Sequence, residues 1–243
     1  MIHCLLRLLI MTMIADNLHQ VIARIARACA QAGRPHDAVT LLAVSKTFGP
    51  DAVRAAYVCG QTAFGENYIQ EGVEKIQACA AMALEGLEWH CIGPIQSNKT
   101  RLVAAHFDWV QSVDRLKIAQ RLSEQRPAEL PALNVCIQVN IDGGPTKAGV
   151  APQDALELAR AVAALPRLRL RGLMTIPEPA PDFVAACAVH TRARALFDTL
   201  NAAGMQLDTL SMGMSGDLDA AVASGSTMVR IGSAIFGGRQ YAK

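Results

Sequence analysis

Eight short apolar runs of strand type, separated by segments of helical periodicity, constrain this chain more than any other feature. The runs are Leu41–Ser45, Thr62–Gly65, Glu88–Ile92, Trp109–Val113, Leu133–Ile141, Leu170–Ile176, Thr209–Met212 and Met228–Gly232. Between them lie helical patterns such as Pro50–Cys59, Ile69–Met82, Arg115–Arg126, Pro152–Leu165, Phe183–Ala203 and Leu218–Ala223. Strands that are apolar almost throughout, each followed by a helix, imply a parallel sheet covered on its faces, and eight of them can close into a barrel. The expected architecture is therefore α/β: a single-domain (β/α)8 TIM barrel. An open doubly wound sheet is the alternative, weakened by the absence of GxGxxG after the first strand.

Composition supports one folded domain. Of 243 residues, 51% are hydrophobic and 18% charged, enough apolar material for a core and too little charge for disorder. The formal net charge of +2 lacks the basic excess of a nucleic-acid binder. Seven scattered cysteines without a CxxC pair argue against a disulfide scaffold or structural zinc and for a reducing, cytoplasmic setting. The histidines are too dispersed for a metal site. The apolar stretch Cys4–Ala15 is too short to span a bilayer, which requires about 20 apolar residues, so no membrane association is expected. Residues 1–12 read as a poorly structured leader and 13–243 as the barrel domain. Asp16 or Asn17 is positioned to cap a helix carrying Leu18, Val21, Ile22, Ile25 and Cys29 at helical spacing.

In such barrels the working residues sit at the C-terminal ends of strands. That rule selects Lys46; Glu66 and Asn67; His90 and Gly93; Ser112 and Asp114; Asn140; Met174; Ser211–Ser215; and Arg230–Ser233. Lys46 follows the apolar LLAVS. A lysine at a barrel mouth, partly desolvated, favours the neutral amine that forms Schiff bases, although an exposed residue opening the first loop would look the same. The runs Ser211–Asp217 (SMGMSGD) and Val229–Ser233 (VRIGS) follow the last two strands, where barrels build phosphate cradles from backbone N–H groups; small-residue turns are the plainer reading.

Taken together, the lysine and the cradle would face each other, because strands one and eight are neighbours in a closed barrel. A phosphorylated aldehyde suits both ends, and pyridoxal 5′-phosphate (PLP) is the common cofactor of that kind. An arginine such as Arg230 set against the ring nitrogen would leave it neutral and make a weaker electron sink, unless Arg230 simply pairs with a carboxylate. Asn67 could hydrogen-bond a ring oxygen or cap the helix near Ile69. His90, inside an apolar strand, reads as a satisfied interior histidine, Gln96–Lys99 as a solvated helix start, and Lys147 as a loop residue over the mouth.

The stretches LLAVSKT, FGENYIQEGVEKI, EWHCIGPIQSNKT, LNVCIQVNI, LRGLMTIPEP and LSMGMSGDLDAAVASGSTMVRIGSAIFG resemble the YggS/PROSC family of pyridoxal phosphate homeostasis proteins, in order and over nearly the whole chain. The resemblance implies a barrel like the N-terminal domain of alanine racemase, fold type III of PLP proteins, with PLP held as a covalent aldimine to Lys46. It implies that Ser211, Gly232 and Ser233 cradle the phosphate, that Arg230 faces the pyridine nitrogen and that Asn67 lies beside the cofactor. It further implies a vitamin B6 role in buffering or delivering PLP, without catalytic residues and with PLP-dependent apo-enzymes as recipients. Because the expected site residues all come from one chain, a monomer is expected. Two positions depart from it: Phe48 stands where many relatives carry lysine, and Ser233 where threonine is frequent. A racemase-type enzyme is the second reading; it needs a base on the opposite face, and Tyr57, Tyr68 and Tyr241 lie on no additional domain. A lysine-dependent aldolase without PLP is the third.

Overall fold

The computed structural model describes the backbone of residues 2–144 and 147–238, with side chains from residue 11 onward. Eight parallel strands close into a barrel in the order β1 to β8: β1 Thr40–Val44, β2 Ala63–Glu66, β3 Glu88–Cys91, β4 Trp109–Val113, β5 Leu133–Val139, β6 Leu168–Thr175, β7 Thr209–Ser211 and β8 Met228–Ile231. The helices are α1 Ile2–Gln31, α2 Pro50–Val58, α3 Ile69–Ala81, α4 Thr100–His106, α5 Leu116–Gln125, α6 Ala155–Ala163, α7 Phe183–Ala202, α8 Leu218–Ala223 and the single turn α9 Ser233–Phe236. The doubly wound alternative is excluded by closure: β1 pairs with β8, Leu42 opposite Arg230 and Ala43 opposite Ile231.

The strands alternate between two environments as period two demands. On β8, Val229 and Ile231 join the cluster between sheet and helices, while Met228 packs inside the barrel with Leu42, Val44, Ala63 and Ile92. Gly65 is required where the interior is full, since a methyl group there would lie 3.1 Å from both Leu42 and Ile92. Gly172 allows β6 to approach β7, a methyl group at that position overlapping the carbonyl of Thr209.

The first helix departs from expectation. Its backbone is helical from Ile2 and passes residue 12 without a break, so the expected unstructured leader is not found in the backbone. No Gly or Pro occurs before Gly33, and the run is rich in helix-tolerant Leu, Met, Ile and Ala. Asp16 and Asn17 are interior to the helix rather than caps; Asn17 Nδ2 instead donates to the carbonyl of Ile235 at 3.0 Å. Ile14, Leu18, Val21, Ile25 and Ala28 form its buried stripe, and α1 packs against α2, α8 and α9. Because α9 is a single turn, α1 covers the gap between α8 and α2 that a full helix after β8 would occupy. Gly33, at φ +64°, ends it: the N–H of Arg34 returns to the carbonyl of Cys29 at 2.9 Å, a Schellman closure. Among the described residues, no helix is long and apolar enough to cross a membrane, and no cluster of three or more His, Cys, Asp or Glu could hold a metal.

This packing makes Leu18 a test of how far α1 belongs to the barrel. Leu18→Ala, at a fully buried site, should lower unfolding free energy by ~2–5 kcal/mol in urea titration, whereas Ile22→Ala, on the outer face of the same helix, should cost under ~1 kcal/mol. Equal small losses would show that α1 is an accessory.

Candidate functional site

A cavity of about 410 Å³ opens at the C-terminal end of the barrel, within the range of small-ligand sites. Lys46 and Thr47 enter it from the turn after β1, Asn67 from the end of β2, Ser215 and Gly216 from the loop after β7, and Arg230, Gly232 and Ser233 from β8 and its exit. Five of the six expected site residues, Lys46, Asn67, Arg230, Gly232 and Ser233, therefore share one wall-to-wall space. The sixth does not. Ser211 is fully buried one layer below the mouth, where its hydroxyl donates to Gln111 Oε1 and accepts from Arg230 Nη1, both at 2.7 Å. Its single O–H is engaged and it does not line the cavity, whereas Ser215, later in the same SMGMS run, does.

Barrel closure accounts for the opposition of Lys46 and the glycine-serine turn. A methyl group on Gly232 would sit 3.1 Å from the carbonyl of Val44, so the chain after β8 runs directly against the end of β1. Ser233 opens α9, and the first N–H groups of any helix lack intrahelical acceptors. Arg230 is 4% exposed; beyond Ser211 it donates from Nη2 to the carbonyl of Thr175 at 2.8 Å, which uses two of its five N–H donors. Burial pulls its pKa down to about 10, leaving the guanidinium charged at neutral pH. Among the described residues, no carboxylate forms an ion pair with Arg230, although Asp217 acts on it from a distance. Asn67 caps nothing: α3 has Tyr68 at its N-cap without a side-chain bond, and Asn67 Oδ1 is buried without a partner. Gly93 lets the Asn67 backbone come close, since a methyl group there would fall 2.1 Å from its carbonyl oxygen.

The turn that carries Lys46 is strained and braced. Thr47 has φ +68°, a left-handed conformation that a β-branched residue rarely adopts. Its N–H donates to Glu71 Oε1 at 2.6 Å, and Phe48 N–H closes the turn on the carbonyl of Ser45 at 3.0 Å. Beneath it Lys75, from α3, donates to the carbonyl of Ser45 at 2.8 Å, to Glu66 Oε1 at 2.6 Å and to Glu71 Oε1 at 3.0 Å. Ser45 Oγ adds a bond to Glu66 Oε1 at 2.6 Å. Burial pushes the Glu66 carboxyl upward despite Lys75. Sequence reasoning listed Glu66 among strand ends but missed Lys75, whose spacing of four from Glu71 reads as an ordinary surface pair.

Other expected residues fall outside the cavity. His90 is an interior histidine with both ring nitrogens hydrogen-bonded. Ser112 donates to the carbonyl of Gly93 at 2.6 Å, and Asn140 Nδ2 to that of Gly144 at 2.9 Å. Lys147 Nζ lies 3.1 Å from Glu178 Oε1, and Gln96–Lys99 leads through a 3-10 turn, Ser97–Lys99, into α4. Phe48 lines the cavity and packs on Phe236 with ring centroids 5.2 Å apart.

Comparison with known proteins fits this arrangement. The model of the alanine racemase N-terminal domain matches residues 17–240. The pyridoxal phosphate homeostasis protein of Escherichia coli (strain K12) is 54% identical over 230 residues, 95% of this chain and 98% of that protein. That of Pseudomonas aeruginosa is 57% identical over 231 residues, again 95% and 98%. The chain belongs to the family of pyridoxal phosphate homeostasis proteins. Within reach of this family by structure is PipY of Synechococcus elongatus PCC7942 with PLP bound, 35% identical with TM-score 0.78, covering 92% of this chain and 100% of that one. An alanine racemase of Clostridium difficile 630, 16% identical with TM-score 0.70 over 93% of this chain and 58% of that one, shares the fold.

For this member of the family, the Lys75 brace yields a stability prediction. Removing one partner of a buried ion pair leaves the other charge uncompensated, so Lys75→Met or Glu66→Gln alone should cost ~3–5 kcal/mol in chemical denaturation, and the double variant clearly less than the sum. Additive losses would mean that the two groups do not act as a pair.

Proposed function

We propose that this chain binds PLP in the mouth cavity, linked covalently through Lys46, and serves PLP homeostasis by holding the cofactor and passing it to apo-enzymes rather than by turning over a substrate. The observation that carries this reading is the convergence of Lys46 from one side of the β1–β8 seam with Arg230, Gly232 and Ser233 from the other on a single cavity. The relatives at over 50% identity carry the homeostasis name, and PipY holds PLP in the same fold.

The residues present fit that ligand. Lys46 supplies the amine. Ser233, Ser215 and the N–H groups around Gly216 and Gly232 supply hydroxyl and backbone donors of the type that hold a phosphate. The unpartnered Asn67 Oδ1 is a buried polar atom awaiting a ligand hydroxyl, or a donor after amide reorientation. Arg230 can only donate, so a ring nitrogen facing it is held as an acceptor, unprotonated. PLP, when bound, supplies an aldehyde for the lysine and an electron-withdrawing ring, which this partner leaves at its weaker setting.

The racemase reading meets an obstacle in the lining. Among the described residues around the cavity, the titratable side chains are Lys46 and Arg230; no tyrosine, histidine or carboxylic acid stands opposite as a second base. Tyr57 lies on α2, Tyr68 is exposed beyond Asn67, and Tyr241 lies outside the described residues. A monomer in the cytoplasm is part of the same reading; the six described cysteines are free.

Borohydride reduction of the PLP-loaded chain, followed by peptide mass spectrometry, should place the pyridoxyl group on Lys46, and Lys46→Ala should abolish the adduct and the visible absorption. An adduct on another peptide, or an unchanged spectrum in the variant, would refute the linkage. Ser215→Ala and Ser233→Ala should each weaken PLP by about tenfold, through loss of a hydrogen bond to a charged group, and pyridoxal much less. Equal losses for both ligands would remove these serines from the cradle.

A further inference from the structure

Inside the barrel, one line of polar side chains runs from the cavity toward the opposite end. Arg230 Nη1 donates to Ser211 Oγ at 2.7 Å, and the Ser211 hydroxyl donates to Gln111 Oε1 at 2.7 Å. Gln111 Nε2 reaches His90 Nδ1 at 2.9 Å, and His90 Nε2 reaches Glu88 Oε1 at 2.8 Å. The five residues come from β8, β7, β4 and β3, so only the closed barrel brings them into line. Ser211, Gln111 and His90 are fully buried, while Glu88 reaches the open cleft at the far end.

The chemistry at the two termini fixes every link. A guanidinium only donates and a carboxylate only accepts, so each group between them passes donation in one sense, from Arg230 to Glu88. This orients the Gln111 amide with its oxygen toward Ser211 and its nitrogen toward His90. It also assigns the histidine proton to Nε2, with Nδ1 as acceptor. Burial lowers the His90 pKa, which keeps that nitrogen available. The imidazole stacks on Trp109 with centroids 5.0 Å apart and planes 11° from parallel, and Gln111 Nε2 also lies 3.1 Å from Met228 Sδ. Turning the amide over would leave the Ser211 hydroxyl proton without its acceptor and set the amide oxygen against the His90 Nδ1 acceptor, a substantial penalty for fully buried groups.

We propose that Gln111, oriented by His90, is a positioning residue for Arg230: through the Ser211 hydroxyl it fixes which edge of the guanidinium faces the ligand's ring nitrogen, although neither Gln111 nor His90 lines the cavity. The inference rests on the reading of the cavity as a PLP site with Arg230 against that nitrogen. Without the Gln111 oxygen, the Ser211 hydroxyl loses the acceptor that fixes its rotamer, so the oxygen that Arg230 Nη1 meets is free to move and the guanidinium keeps a rigid partner only at the Thr175 carbonyl.

The test compares PLP with an analogue bearing C–H in place of the ring nitrogen, each titrated onto the full chain by absorbance. The wild type should prefer PLP, and Arg230→Ala should lose that preference. Gln111→Leu should reduce the preference about tenfold, the worth of one hydrogen bond to a charged group, with affinity for the analogue nearly unchanged. Ser211→Ala, a smaller change on the same line, should do likewise and serves if Gln111→Leu does not fold. Gln111→Glu, which still offers Ser211 an acceptor, should retain the preference. A Gln111→Leu chain that keeps the wild-type preference, or loses affinity for both ligands equally, would overturn the positioning role while leaving the PLP reading intact. A wild type that binds both ligands equally while still forming the Lys46 adduct would instead overturn the placement of Arg230 and, with it, the inference.

Discussion

The pairing of the first strand with the last is the constraint on which the rest depends. Thr40, Leu41, Leu42 and Ala43 take Met228, Val229, Arg230 and Ile231 as partners, and this register sets the height of the Lys46 turn relative to the glycine-serine turn after β8. Displacing one strand by a residue would exchange inward and outward side chains, sending Arg230 into the helical layer and an isoleucine or valine into the interior. The single-turn α9 leaves that seam under-covered, and α1 compensates: its stripe from Ile14 to Ala28 packs over α8, α9 and α2. Arg24 of α1 also donates to the carbonyl of Ser215 at 2.8 Å and pairs with Asp219 at 2.8 Å, so the helix that closes the outside also steadies a wall of the cavity.

Two buried polar systems approach the cavity from below, and neither is explained by stability. A buried ion pair contributes less than well-packed hydrophobic groups of the same volume, because desolvation offsets most of the attraction. Lys75 with Glu66 and Glu71 nevertheless holds the carbonyl of Ser45 and, through Glu71, the N–H of Thr47; the residue between them is Lys46. Such bracing keeps Thr47 in a conformation that would otherwise relax, at an expected cost of about 1–3 kcal/mol for a strained non-glycine residue. On the other side of the seam, Ser211 and the Thr175 carbonyl hold Arg230. The two cations of the lining are thus fixed by separate sets of neighbours, one from outside the sheet and one from within it.

How much of this was legible in the sequence follows from what each signal depends on. Strand periodicity is local, so all eight strands were readable, with errors at their ends: β5 stops at Val139 because Asn140 turns to bond Gly144, and β6 starts two residues early at Leu168. Strand-end position is also nearly local, which is why the five residues Lys46, Asn67, Arg230, Gly232 and Ser233, chosen from the sequence, line one cavity. Ser211 lies below the cavity because motif position does not say at which layer of the barrel a side chain sits; β7 ends at Ser211, and the lining of the cavity on this side comes from Met214 to Gly216. Lys75 and Gln111 carried no local signal at all. One sits on an amphipathic helix and the other in mid-strand, and their roles arise from partners on elements distant in sequence.

Phe48 stands where the resemblance led to an expectation of lysine, and its surroundings say what an aromatic ring does there. Its ring packs on Phe236 at 5.2 Å, and Phe236 belongs to α9, so the loop after β1 is joined to the turn after β8 above the point where the two strands end. Phe236 is itself buried in the main core cluster, which gives the contact a fixed base. A lysine at this position would present a hydrated cation to the cavity, screened by salt and free to follow an anionic ligand. An aromatic pair contributes about 0.5–1.5 kcal/mol beyond its burial and is indifferent to ionic strength. The mouth of this barrel is therefore held at its seam by packing rather than by charge, and the positive field at the cavity falls to Lys46, carried on a braced turn, and Arg230, held by Ser211 and the Thr175 carbonyl.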